Sequence, residues 1–228
     1  RPWTDFAMGE DCSNGNCDRR GQYLIAATDL LISDLEYMAG AWADNGKARL
    51  ELMSDADKGI SAILTGMGSL SYGETAGERM RLGVMLNDPE EEHSCFSDNT
   101  HNDHFYNGVG VQNVYLGEYI RIDGTLVQGP SLSDLVAARD PALDTEMRSK
   151  LGDAVMALGR IKIAAEAGFA YDQMLERGNA AGEALIMGGV DGFIEQTRSI
   201  ERVVTALGLD GVAIEGSDSL DNPDAVFQ

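Results

Sequence analysis

The segment IMGGVDGFIEQTRSIERVVTAL, from Ile186 to Leu207, decides the predicted fold. Its apolar or small side chains recur at alternating steps of four and three residues, the spacing that lines one face of an α-helix. Gly208 follows, and glycine commonly ends helices. The residues of this stripe are Ile186, Val190, Phe193, Thr197, Ile200, Val204 and Leu207. We therefore predict a long helix that faces a bundle core and ends at Gly208.

Two further segments repeat this spacing. The first stripe consists of Leu24, Thr28, Leu31, Leu35, Met38 and Trp42. The second consists of Met147, Leu151, Ala154, Leu158, Ile161 and Ala165. Helical stretches from about 56 to 86 and from about 103 to 119 lie between them. The sequence therefore predicts an all-α, up-down helical bundle, interrupted by a short β-hairpin near 120–127 that turns at Asp123-Gly124.

The same patterns predict a division of the chain into three parts. Residues 1–18 form an N-terminal loop, residues 19–208 form the helical bundle, and residues 209–228 form a C-terminal tail. The tail is predicted as a surface segment because it lacks helical periodicity.

Charge narrows the classes of function. Among 228 residues, 38 Asp and Glu face 17 Lys and Arg, which gives a formal charge of -21. Such a surface lacks the basic side chains that neutralise phosphates, so nucleic acid is excluded as a partner. Anionic membrane surfaces are disfavoured for the same reason. Cations, by contrast, are attracted to this surface. No run of 18 apolar residues occurs, and we predict no membrane-spanning segment.

The cysteines bear on the cellular compartment. Cys12 and Cys17 flank a polar Gly/Asn turn and predict a disulfide, which would form after export to an oxidising compartment. Two free thiols in a cytosolic loop are the alternative.

All three histidines lie in one polar loop between Asp88 and His104. Imidazoles and carboxylates bind transition metals, and His101 and His104 would share a face if the segment after Asn99 is helical. Each histidine alone is more typical of a hydrogen-bonded structural residue. The cluster as a whole predicts a polar site, with a metal as one of its ligands.

The helix before this loop carries Glu74 and Glu78 four residues apart, with Arg79 beside them. This pair is either a set of ligands in a carboxylate-rich bundle core or the solvated face of an acidic helix. Glu90–Glu92 after Pro89 are typical of a helix N-terminus, and one of residues 97–100 is expected to cap the next helix.

Longer strings in the sequence resemble the imelysin family. They are SLSYGETAGERM (69–80), DPEEEHSCFSDNTH (88–101) and QNVYLG (112–117), together with CSNGNCDRR (12–20) and GPSLSDL (129–135). The resemblance spans about residues 1–209, and its loop string is far more specific than any short motif. That family includes iron-regulated bacterial envelope proteins that are also classed as imelysin-like peptidases.

The resemblance implies a pair of helical bundles, exported to the periplasm or held at the outer membrane, with a biology linked to iron. Its signature, Gly-x-His-x-x-Glu, is absent from these 228 residues. In the family the motif lies shortly upstream of the position of Arg1. We therefore expect this chain to be the C-terminal portion of a longer protein, partnered by an N-terminal half that carries the motif.

The resemblance also implies a site. His93 and His101 would ligate a metal ion, iron or zinc, and Arg79 would hold a carboxylate in place. The other implied site-lining residues are Glu74, Glu78, Ser97, Asp98 and Asn99. The missing His and Glu would face these residues across a bundle interface.

Three functions are compatible with these observations. The first is a metal- or ligand-binding protein of the bacterial cell envelope. The second is a metallopeptidase of the imelysin type, although this chain has no complete catalytic motif and its activity as an enzyme stays open. The third is a non-catalytic assembly module whose apolar face docks another polypeptide.

Overall fold

The computed structural model describes residues 2–7 and 9–227. The chain divides into two compact units, which meet in sequence between Gly59 and Ile60. The predicted boundaries at 18/19 and 208/209 do not coincide with this division.

The first unit holds two short 3-10 turns, Trp3–Asp5 and Gly9–Asp11, followed by helices α1 (Cys17–Trp42) and α2 (Lys47–Met53) and the start of α3 (Ala56–Ser69). A disulfide joins Cys12 to Cys17, with their Cα atoms 5.6 Å apart. Arg20 donates to the carbonyl oxygens of Asp5 and Asn14 at 2.7 and 2.8 Å. The bridge and this arginine together fasten the N-terminal turns to the first turn of α1.

The predicted burial of the first apolar stripe is wrong within the described chain. The helix forms as expected, but the side chains of its stripe stay exposed: Leu24, Leu31, Leu35, Met38 and Trp42. Burial of a helical stripe needs a second helix laid over it. In the first unit α1 packs with the short α2 and the turn at Trp3–Asp5, and neither covers the stripe.

The second unit is the helical bundle. It continues α3 into a π-helix (Leu70–Arg81) and α4 (Leu82–Leu86), and a loop then leads to α5 (Thr100–Leu116). After the hairpin come α6 (Leu132–Arg139), α7 (Pro141–Glu166), α8 (Tyr171–Leu175) and α9 (Ala180–Leu207), and α10 (Asp218–Asp221) lies near the end. Helices α5, α7 and α9 and the π-helix pack against one another. The predicted all-α bundle is confirmed.

Helix ends follow the chemistry of the sequence. The Asp140 side chain accepts from the amides of Ala142 and Leu143, and Pro141 occupies the first helical position of α7. Asn179 caps α9 in the same manner. Gly208 adopts φ +68° just after Leu207, so α9 ends where the sequence predicts.

The stripes that begin at Met147 and at Ile186 form most of the core. Met147, Leu151, Leu158 and Ile161 of α7 are fully buried. The fully buried residues of the α9 stripe are Ile186, Val190, Phe193 and Ile200. One apolar cluster surrounds Leu151 and Ile200, and a second surrounds Leu158 and Phe193.

Asp144 of α7 is the centre of a buried polar node, a group of hydrogen-bonded side chains inside this core. Its carboxylate accepts hydrogen bonds from Tyr115 of α5, Ser133 of α6 and Arg148 of α7. Burial would raise the carboxyl pKa, but these donors outweigh burial and leave the pKa of Asp144 below its usual value. The charged Asp144 carboxylate therefore links three helices through hydrogen bonds.

The predicted hairpin is confirmed with slightly shifted bounds. Strands β1 (Glu118–Ile120) and β2 (Leu126–Gln128) pair antiparallel, with Tyr119 opposite Val127. Gly124 adopts φ +83° in the connecting turn.

The C-terminal segment is partly ordered against the bundle. Ser217 and Ser219 are buried, and α10 packs on the π-helix. The segment predicted as a surface tail thus contributes contacts to the bundle, which its lack of periodicity could not indicate.

Across residues 2–7 and 9–227, none of the helices combines the length and apolar character that crossing a bilayer requires.

Candidate functional site

A polar pocket of about 570 Å³ lies in the second unit, between the π-helix, the 87–99 loop and α5. The lining residues are Arg79, His93, Asn99, Asn102, Asp103, Tyr106 and Asn107. Three of the predicted site residues, Arg79, His93 and Asn99, therefore lie in one pocket.

The π-helix supplies Arg79 and also carries the predicted carboxylate pair, Glu74 and Glu78. Arg79 Nη2 contacts Glu74 Oε2 at 2.8 Å, and this ion pair orients the guanidinium group. Glu78 instead accepts a hydrogen bond from Ser217 Oγ at 2.6 Å. The two carboxylates are thus engaged by different partners, and neither lines the pocket.

The loop is shaped by hydrogen bonds around one buried carboxylate. Thr100 Oγ1 donates to Glu92 Oε2 at 3.0 Å and accepts from the Ser94 amide at 2.9 Å. Ser94 Oγ in turn donates to Asp103. Burial raises the pKa of Glu92, although the Thr100 hydrogen bond opposes this rise. These contacts fix His93, which lies between Glu92 and Ser94, at the mouth of the pocket.

Ser97 and Asp98 are exposed and lie outside the pocket lining. Ser97 Oγ donates to the Ser94 carbonyl at 3.2 Å, and Asp98 adopts φ +51°. Both residues shape the loop. Asn99 stands at the expected cap position before α5, but its side-chain oxygen accepts from Asn102 Nδ2 and makes no capping hydrogen bond to the helix backbone.

The histidines pair differently from the predicted ligand set. The ring of His93 lies 6.5 Å from that of His104, centroid to centroid, and His104 stacks edge-on against Tyr171 at 5.1 Å. His101 instead contacts Asn102 Nδ2 through Nε2 at 3.1 Å. The pocket is lined by His93 and not by His101.

His104 is a buried neutral imidazole. Desolvation is the main cause that lowers its pKa to about 3, with smaller electrostatic contributions from the neighbouring His93, Arg79 and His101. Among the residues that the structure describes, neither ring nitrogen has a hydrogen-bond partner, and the same is true of the Tyr171 hydroxyl. At neutral pH His104 therefore offers a lone pair and carries no charge.

The donor set does not by itself fit a metal centre. Within the described residues, no group of three or more His, Cys, Asp or Glu side chains is arranged to hold a metal ion. His93 and His104 are close enough to act together, but protein zinc sites use three or four protein ligands. A metal ion here would need further donors from another polypeptide segment.

Four lining residues escaped the sequence-based prediction: Asn102, Asp103, Tyr106 and Asn107. Their signal was present, because Asn99, Asp103 and Asn107 follow one another at steps of four along α5. Lys162 of α7 was also missed. Its Nζ donates to Asn102 Oδ1 and Glu166 Oε1, each at 2.5 Å, and thereby orients the Asn102 amide beside the pocket.

We compared the sequence with models of known protein families. The model described as Imelysin matches residues 1–200. The chain belongs to the imelysin family. A search of curated proteins found no match. The family resemblance is thus confirmed over most of the chain, and the loop string contributes His93 and Asn99 to the pocket.

Proposed function

We propose that this member of the imelysin family is a bacterial cell-envelope protein, linked to iron, that binds a metal ion or small polar ligand in the pocket lined by Arg79 and His93. The observation that carries the proposal is the convergence of these two residues with Asp103 and several Asn side chains in one solvent-open pocket. The Cys12–Cys17 disulfide favours an exported location, in the periplasm or at the outer membrane, because such bridges persist in oxidising compartments.

The pocket can hold both signs of charge. Arg79, which is half-buried, and the His93 ring suit an anionic group, and the Asp103 carboxylate suits a cation. Of the pocket residues, His93 and Asp103 carry metal-donor atoms, and iron or zinc would need its remaining donors from outside the described chain. The family resemblance suggests that a polypeptide carrying Gly-x-His-x-x-Glu supplies them. The metal would act there as a Lewis acid or structural ion, and this chain's residues would orient it.

Isothermal titration with Fe²⁺ and Zn²⁺, in the presence and absence of that polypeptide, tests the proposal. We expect saturable binding that falls at least tenfold in His93→Ala. Because a surface of charge -21 attracts cations everywhere, Asp191→Asn, an exposed carboxylate of α9, is the matched control and should bind as the parent does. Equal binding by both variants would overturn the proposal.

A second function, assembly, is favoured by a separate observation. Helix α1 exposes large apolar side chains around much of its surface, including Tyr23 at 77% and Tyr37 at 72%. Between residues 21 and 46 the helix and its end carry only negative charges, at Asp29, Asp34 and Glu36 and at Asp44 beyond them. Exposed apolar surface of this extent marks an interaction site. The complementary partner is an amphipathic helix with Lys or Arg beside its apolar stripe.

Replacement of Leu31 and Leu35 by Ser would test this second function, with Leu50→Ser on α2 as an exposed apolar control. We expect the α1 variant to lose binding of a hydrophobic dye and of the partner helix. Unchanged dye binding would exclude α1 as the docking surface.

A further inference from the structure

The C-terminal segment 214–221 lies directly against the π-helix at two glycines. A Cβ atom at Gly77 would stand 2.4 Å from Ser217 Cβ, and one at Gly73 would stand 2.6 Å from the Glu215 carbonyl oxygen. Real Cβ atoms do not tolerate such distances. The absence of side chains at these two positions therefore allows the segment to reach the helix backbone.

Three side-chain hydrogen bonds then join the segment to the helix. Ser219 Oγ donates to the Gly77 carbonyl at 2.9 Å, and Ser217 Oγ donates to Glu78 at 2.6 Å. Tyr72 donates to Asp221 Oδ1 at 2.7 Å. Because Ser217 and Ser219 are buried, solvent does not compete freely for their bonds.

The contacts fall where the helix is unusual. The Leu82 amide bonds to the Gly77 carbonyl, five residues back, which is the π-helical spacing, and the Ser219 hydroxyl reaches the same carbonyl. Long π-helices are rare because the α-helical pattern is more stable. An external partner at this carbonyl favours the wider spacing.

The wide turn also decides where Arg79 lies. Arg79 and Glu74 are five residues apart and form an ion pair at 2.8 Å. In an α-helix, residues five apart point about 140° away from each other at about 3.6 residues per turn. A return to α-helical spacing would therefore break this pair and turn Arg79 relative to the pocket.

We propose that segment 214–221 is a clamp that holds the π-helix in its wide register and thereby positions Arg79 at the pocket. Ser217, Ser219 and Tyr72 act as positioning residues. Only the link to ligand binding rests on the proposed function. The effect of the clamp on the helix and on Arg79 stands without any ligand.

The test compares Tyr72→Phe, Ser219→Ala and the double variant with Asp218→Asn, an exposed control in the same segment. Amide hydrogen exchange should become about fivefold to tenfold faster across 71–82 for each lost hydrogen bond, with α7 unchanged. Modification of Arg79 by phenylglyoxal, measured by mass spectrometry relative to Arg160, should rise severalfold. If the double variant fails to fold, Tyr72→Phe at the edge of the contact still gives both readouts.

Unchanged exchange across 71–82 would overturn the clamp, and faster exchange with an unchanged Arg79 modification rate would overturn its positioning role. Zn²⁺ titration separates this proposal from the preceding one. If exchange and modification respond but the parent protein binds no Zn²⁺, the metal-binding function fails and the clamp stands.

Discussion

Replacement of Asp144 should be among the most destabilising changes of a polar residue in this protein. The carboxylate ties α5, α6 and α7 together through Tyr115, Ser133 and Arg148. Tyr115 and Ser133 are fully buried, so Asp144→Ala leaves two hydroxyl groups without their acceptor.

The magnitude follows from those two groups. A buried donor left unpaired costs about 1–3 kcal/mol, so the two hydroxyl groups together should lower the free energy of unfolding of Asp144→Ala by about 2–6 kcal/mol. Arg148 adds little because half of its side chain is exposed. At this chain length about 1 kcal/mol lowers Tm by about 2–4 °C. Asp144→Asn retains an acceptor oxygen and should cost less than the Ala variant.

Urea unfolding followed by circular dichroism measures the effect, with Asp153→Ala on the exposed face of α7 as the control. The dependence on pH provides a second check. Because the folded pKa of Asp144 is lowered, its stabilisation is present above the unfolded pKa of about 3.9 and is lost as pH falls through the folded value. The difference between the parent and Asp144→Asn should therefore shrink below about pH 4. If Asp144→Ala and Asp153→Ala are equally stable at pH 7, the node does not hold the helices together.

Three further outcomes are expected. Gly192→Ala should destabilise the bundle by about 1–3 kcal/mol, because its Cβ would lie 2.9 Å from the α7 backbone. Gly188→Ala on the same helix is the control: its Cβ meets open space, so thermal unfolding should show a neutral or slightly stabilising effect. In an NMR titration the His104 ring should stay neutral down to about pH 4, since its pKa is about 3, and a midpoint near 6.5 would contradict its burial. Reduction of the Cys12–Cys17 disulfide should remove about 2 kcal/mol of stabilisation and should speed limited proteolysis of the 9–17 turn. Equal cleavage rates in the oxidised and reduced protein would show that Arg20 alone holds this turn in place.

The sequence predicted the helices well because their burial is periodic. The stripes of α7 and α9 could be recognised from spacing alone, and Gly208 marked the end of α9. The α1 stripe has the same spacing but lies exposed, since periodicity shows which face a helix would bury and does not show that a partner covers it.

The site was predictable only in part. The loop string located His93 and Asn99, and the string at 69–80 located Arg79. The different partners of Glu74 and Glu78 were not predictable, because Glu74 pairs with Arg79 five residues along the π-helix and Glu78 bonds to Ser217, which is 139 residues away in sequence. The contact between His93 and His104 depends on how the loop folds back over α5. Tyr171 reaches the cluster from α8, and no local pattern connects it with the histidines.

The close approach of Gly77 and Ser217 constrains how this chain can vary. A side chain at position 77 and the segment at 217 cannot occupy the same space, so a side chain at position 77 requires the segment to move. An Ala at position 77 should therefore be harmful in the intact chain and largely tolerated in a chain shortened after Gly208. A change in the C-terminal segment would then compensate for a change at position 77, although the two sites lie far apart in sequence.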